Sequence, residues 1–224
     1  MTDYTLIRSR RRTASLQIKN GAVCVRAPMK MPKREIDAFV AENDKWIRER
    51  VAQSLACARQ RDAFEVNYGD CISYRGKTYP IEAADGRYAG FDGSRFFVPA
   101  GFSSEHVKCT LVRVYRMLAK KYLVERVRYF AGQMNVSPYA VKINGAKTHW
   151  ASCSAKKSLN FSWMLIMADD DAIDYIVVHE LAHLIELNHS AKFWAVVENM
   201  MPGYGECEKR LKELQKRLLT EDWE

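Results

Sequence analysis

No run of 18 apolar residues occurs anywhere in the 224-residue chain, so no membrane-spanning helix is expected. No C-x-x-C pair joins the six cysteines (Cys24, Cys57, Cys71, Cys109, Cys153 and Cys207), which argues against a cysteine zinc knuckle and suggests no disulfide framework. No G-x-x-x-x-G-K-[ST] loop is present, so a nucleotide would have to be held by scattered arginines and lysines. Internal repeats and low-complexity tracts are absent too. The N-terminus carries Arg8 and Arg10 to Arg12 but lacks the apolar core of a secretory leader. The expectation is therefore a cytoplasmic protein with reduced thiols. Histidine is scarce as well, at five residues.

What the chain does contain is ordinary for a soluble globular protein: 48% apolar and 28% charged residues, at a length that suits one large or two small domains. Basic residues outnumber acidic ones, 35 to 27, and the net charge of +8 attracts polyanions through counterion release. The cations concentrate at Arg8 to Arg12 and at Arg113, Arg116, Lys120, Lys121, Arg126 and Arg128. The second set interleaves with Val112, Tyr115, Leu118, Tyr122 and Tyr129. It reads either as a solvated helix face or as a groove for nucleic acid or a phosphorylated substrate.

Three of the five histidines fall within eleven residues. His179-Glu180-Leu181-Ala182-His183 reads H-E-x-x-H, and His189 follows six residues later. Imidazoles four apart on a helix share one face, one turn apart, so both can reach a single metal ion. Glu180 follows the first of them and can approach an activated water without ligating the metal. With histidine this rare, a chance match stands at about 1%. The flanks strengthen it. Ile173, Ile176, Val177, Leu181, Leu184 and Ile185 recur at three- and four-residue spacing, and Asp170, Asp171 and Asp174 place negative charge near the helix start. A buried helix with two ionisable rings and a carboxylate needs a partner for them, which argues against plain core histidines. Asn188 is expected to end this helix, and Ser190 to cap the next, Ala191 to Met200, before Pro202-Gly203. Metal-assisted hydrolysis is the leading expectation.

Elsewhere the first 30 residues read as β-rich, with Asn20-Gly21 as a hairpin turn. Lys33 to about Arg61 reads as helix, with Ile36, Phe39, Val40, Trp46 and Ile47 on one side. A second β segment runs from about Cys71 to Val98, with turns at Arg75-Gly76, Asp85-Gly86 and Asp92-Gly93. Ser104 is a candidate cap for a long helix from Glu105 to about Met134. A strand over Ala140 to Asn144, partial alternation over Leu159 to Leu165 and a charged helix over Glu206 to Leu219 complete the pattern. The plan is α+β. A β-rich N-terminal region with one helix is expected over residues 1–103, and a metal-holding domain over residues 104–224.

The stretch Thr148-His149-Trp150-Ala151-Ser152-Cys153, then Leu159-Asn160-Phe161, Asp174 to His183, Asn188-His189-Ser190 and Phe193-Trp194, resembles the YgjP-like metallopeptidase family, which is related to the SprT-like and Wss-type zincins. Arg8-Ser9-Arg10-Arg11, Val25-Arg26-Ala27-Pro28 and Trp46-Ile47 extend the likeness towards the N-terminus. The resemblance implies a zincin-like fold, with His179, His183 and His189 as ligands of one Zn²⁺ per chain and Glu180 as catalytic base. Ala151 stands where the family usually has Gly, and His149 where it commonly has a basic residue. Candidates for stabilising the oxyanion are His149 and Tyr204. The segment around Asn160 and Ser162 either pairs with an extended polypeptide substrate by edge addition or is an ordinary core strand. Two other functions stay open: hydrolysis of a phosphoanhydride such as a nucleoside triphosphate, and a DNA-associated module in which zinc is mainly structural.

Overall fold

The computed structural model describes residues 2–223 and divides the chain into two compact units, Met1–Phe64 and Glu65–Glu224. The protein is α+β: the described residues form ten strands in three mixed sheets and six α-helices.

In the first unit β1 (Thr5–Ser9), β2 (Ser15–Lys19) and β3 (Ala22–Pro28) form a sheet in the order β1-β3-β2, with β1 parallel and β2 antiparallel to β3. The β2–β3 hairpin turns at Asn20-Gly21, whose φ values of 47° and 79° are the paired left-handed conformations that a two-residue hairpin demands. The helical segment predicted as continuous is two helices, α1 (Lys33–Glu42) and α2 (Asp44–Asp62). They part at Asn43, whose side chain donates to the Phe39 carbonyl at 2.8 Å and so competes with the helical ladder. Val23, Val25, Ala27, Ile36, Val40 and Ile47 form the core. Trp46, expected on that apolar face, is 41% exposed beneath the Arg50 guanidinium. One residue is about 100° of helical rotation, so Trp46 and the buried Ile47 cannot both point inward. Arg8, from the N-terminal basic run, spends its Nη1 on the carbonyls of Pro28, Met29 and Met31.

In the second unit β4 (Cys71–Tyr74), β5 (Lys77–Ala84), β6 (Gly90–Phe91) and β7 (Phe96–Pro99) pair in the order β4-β5-β7-β6, with β5 and β7 parallel. Ser103, one residue before the expected Ser104, caps α3 (Ser104–Gln133) by accepting the His106 amide. Ser104 Oγ instead donates to the Val66 carbonyl. Then follow β8 (Ala140–Asn144), β9 (Ala151–Cys153), β10 (Ser158–Ser162), a 3-10 turn at Trp163–Met167, α4 (Asp170–Ala182), α5 (Ala191–Met200) and α6 (Gly205–Leu218). Leu111, Tyr115, Ala119 and Leu123 of α3 are fully buried, and α3 packs on α4 and on the 3-10 turn, where Tyr115 stacks on Trp163 at 5.4 Å. The segment from residue 104 onward thus shares its unit with β4 to β7. No helix among the described residues is long and apolar enough to cross a membrane.

Candidate metal centre

The first residues of α4 are anchored before any chemistry is considered. Asp169 caps the helix by accepting the Ala172 amide at 3.1 Å. Asp170 takes a two-point contact from Arg75 at 2.7 Å for each bond, and Asp174 another from Arg126 at 2.6 Å. Ile173, Ile176, Val177, Val178 and Leu181 are buried, each worth about 1.5–3 kcal/mol. Partly exposed ion pairs contribute about 0–1 kcal/mol each. Burial of this apolar face therefore holds the helix in place, and the paired charges add little to it. Arg126 is thereby drawn out of the basic set on α3, whereas Arg113, Lys120, Lys121 and Arg128 are exposed.

At its other end α4 stops earlier than the apolar pattern suggests. The helix ends at Ala182, His183 is its C-cap, and Ile185 and Leu187 are exposed rather than buried. The Leu184 and Ile185 amides bond back three residues, to Leu181 and Ala182, so the chain tightens and turns instead of continuing to Asn188. That turn brings His189 back towards the helix. Ser190 then caps α5 by accepting the Phe193 amide, as the sequence indicates.

His179, His183 and His189 each present a ring nitrogen within 4.8 Å of the others. His179 Nε2 and His189 Nε2 lie 3.0 Å apart. Tetrahedral ligands about 2.0–2.1 Å from a zinc ion stand about 3.3–3.4 Å from one another. The observed donor spacing therefore fits a single small divalent ion. Protonation fits as well: burial, aided by the other two histidines, pushes His179 down to about 4. Burial lowers His183 too, aided by His189. Neutral imidazoles keep their lone pairs for a cation.

Glu180 is 6% exposed, and its Oε2 has no hydrogen-bond partner among the described residues. Burial pushes its carboxyl up to about 7. Such an orphaned acceptor beside three convergent imidazoles is a group left for a ligand. Cys153 is half-buried; burial, then the charge of Glu180, raises its thiol, which disfavours the thiolate a metal would need.

The other candidates lie outside this cluster. β10 has β8 on one side and β9 on the other, so it offers no free edge to a peptide. Of its two candidates, Ser162 is buried and spends its hydroxyl on the Ala146 carbonyl and the Met164 amide, while Asn160 is half-buried on the middle strand. Of the two outer strands, β8 packs against α3 and β9 against α4. Ala151 in β9 has no left-handed backbone, so the absence of Gly there costs nothing. His149 is exposed beside Thr148. Tyr204 lies with its ring stacked between Trp194 and Tyr175.

The aromatic surround of the imidazoles goes beyond what sequence reasoning assigned. Phe193 is fully buried, with its ring 4.9 Å from that of His179, 4.6 Å from His183 and 4.7 Å from His189. Tyr175 lies one helical turn before His179 and meets it edge-on at 5.9 Å. The available signals were Tyr175 four residues before the first histidine, and Phe193-Trp194 just after the third.

Residues 12–214 match the YgjP-like family, described as a metallopeptidase domain. No curated protein matches the chain. Among solved structures, the metallopeptidase zymogen of Pyrococcus abyssi abylysin is 26% identical over 44% of this chain and 92% of its own, with a TM-score of 0.35. The metallopeptidase zymogen of Methanocaldococcus jannaschii jannalysin is 25% identical over 43% of this chain and 96% of its own, with a TM-score of 0.37.

Proposed function

The chain belongs to the YgjP-like family of metallopeptidase domains, and from that premise we propose that it is a zinc-dependent peptidase that cleaves polypeptides at the His179–His183–His189 centre, with Glu180 as catalytic base and a zincin-like arrangement of the second unit. The observation that carries this reading is the convergence of three ring nitrogens, with a buried carboxylate that has an unpartnered oxygen on the residue next to the first of them. His179, His183 and His189 would hold the ion, and with three protein ligands it would stay open to water. When bound, the ion supplies Lewis acidity, which lowers the pKa of a water and polarises a carbonyl. Glu180 does the proton work. Its carboxyl, pushed up to about 7 by burial, matches neutral pH, so it takes a proton from the attacking water and returns it to the leaving amine. An extended substrate would lie along the outer edge of β9 rather than β10, because β10 is paired on both sides.

The test is Glu180→Gln. It should keep the bound metal and lose about 10²–10⁴-fold in the hydrolysis rate of casein or a peptide library. A variant that keeps both its metal and its full rate would sink the mechanism.

A further inference from the structure

His189 is the weakly held member of the triad. His179 and His183 sit at the end of a buried helix, but His189 is exposed and follows a turn with no regular structure. Burial does little to select its rotamer, and an unrestrained imidazole would have to be ordered each time it met the ion.

A continuous aromatic stack ends on that ring. Trp194 lies over His189 at 5.7 Å between centroids, with 27° between the planes. Tyr204 stacks on Trp194 at 5.3 Å and 11°. Tyr175 stacks on Tyr204 at 5.4 Å and 6°. All three spacings fall in the range in which aromatic pairs attract, worth about 0.5–1.5 kcal/mol each beyond their burial. The far end is rigid. Tyr175 is on α4, 3% exposed, and its hydroxyl donates to Glu208 Oε1 of α6 at 2.8 Å. Its ring meets His179 edge-on, so the stack links the first ligand to the third through α4, α5 and the segment before α6. Phe193 touches all three imidazoles but meets His189 at 76°, packing against it edgewise rather than lying on its face.

We propose that Trp194 and Tyr204 are positioning residues for the third ligand: the Tyr175–Tyr204–Trp194 stack holds the His189 ring in the orientation that brings its Nε2 to that of His179. This rests on the reading that the three histidines hold the metal. It also gives Tyr204 a role through its ring face, independent of its hydroxyl.

Groups that orient a ligand typically change metal affinity by about 10–100-fold when removed. The full chain is therefore titrated with Zn²⁺ against a chromophoric chelator at fixed pH, and the apo-protein is melted in parallel. Tyr204→Leu should weaken Zn²⁺ binding about 10-fold, and Tyr204→Met, which keeps bulk but not the flat face, should do the same. Tyr204→Phe keeps the stacked face and should bind as the wild type does. In a His189→Ala background Tyr204→Leu should change nothing further, because its effect passes through His189. The Co²⁺-substituted protein should show altered visible bands in Tyr204→Leu and unaltered bands in Tyr204→Phe. Wild-type affinity in Tyr204→Leu, with weakened binding in His189→Ala, overturns the stack proposal and leaves the triad standing. An equal loss from Tyr204→Leu with or without His189 also overturns it, since the effect is then general destabilisation. Unchanged affinity in His189→Ala overturns the triad and the stack together.

Discussion

His179 and Glu180 are adjacent in the chain, and one physical cause moves them in opposite directions. Burial disfavours charge, so the imidazole is pushed down to about 4 and the carboxyl up to about 7. The first becomes a lone-pair donor at neutral pH; the second becomes a base matched to it. The H-E-x-x-H spelling identifies both residues, but their burial is the main source of the protonation behaviour. A quieter residue matters at the other end of the same helix. Gly76 has φ +72°, and a Cβ there would lie 2.8 Å from Asp169 Cβ and 3.0 Å from its Cα. Asp169 is the N-cap of α4, so the β4–β5 turn and α4 meet at a point with no room for a side chain. Gly76→Ala should cost more than about 1 kcal/mol through strain and contact together, which corresponds to a fall in melting temperature of at least about 2–4 °C. A melting curve indistinguishable from wild type would show that the turn can give way.

At the scale of elements, α4 is the structure on which the centre depends. Its apolar spacing and acidic first turn are readable in the sequence, and its start at Asp170 agrees. Its end does not agree. Periodicity counts Leu184 and Ile185 as a continuing face, but no packed surface lies over Ile185, and three-residue hydrogen bonds turn the chain. The Arg75 and Arg126 partners are invisible in sequence because they lie 95 and 48 positions away. The hydrogen bonds from Arg75 hold the Asp170 carboxyl below its ordinary 3.8. A depressed carboxylate stabilises the fold fully above its unfolded pKa and loses that contribution as pH falls through its folded one. Asp170→Asn should therefore destabilise the protein at pH 7 by at most about 1 kcal/mol, since the pair is partly exposed. The gap to wild type should narrow below the ordinary carboxylate value. Urea unfolding at pH 7 and pH 3 measures both, and a gap that widens on acidification would refute the sign.

For the whole molecule, every residue of the centre lies within Glu65–Glu224. Binding of the metal to this folded unit should stabilise it by linkage: an ion present at 100 times its Kd adds about 2.7 kcal/mol. At about 2–4 °C per kcal/mol, Zn²⁺ should raise the melting temperature by about 5–10 °C, and a chelator should reverse this. Peptide hydrolysis should fall and return in step. A melting temperature indifferent to both would mean that the three histidines bind no ion in the folded state. The positive charge that kept nucleic acid and nucleotides in consideration is partly spent internally, with Arg126 on Asp174 and Arg8 on backbone carbonyls.

The sequence alone determined the α+β plan, most helix and strand positions, the turns at Asn20-Gly21 and Arg75-Gly76, and the group of residues worth testing. These are local matters: periodicity, caps and left-handed turns are written in neighbouring residues. Tertiary structure decided what depends on distance through space. It placed β10 in the middle of its sheet and left β8 and β9 at the edges, which no strand pattern encodes. It turned Trp46 outward and split the predicted helix at Asn43. It also drew Tyr175, Trp194 and Tyr204, separated by 19 and 10 positions, into one stack ending on His189. Ring planes meet only after three separate segments have packed, and no periodicity within one segment foretells that.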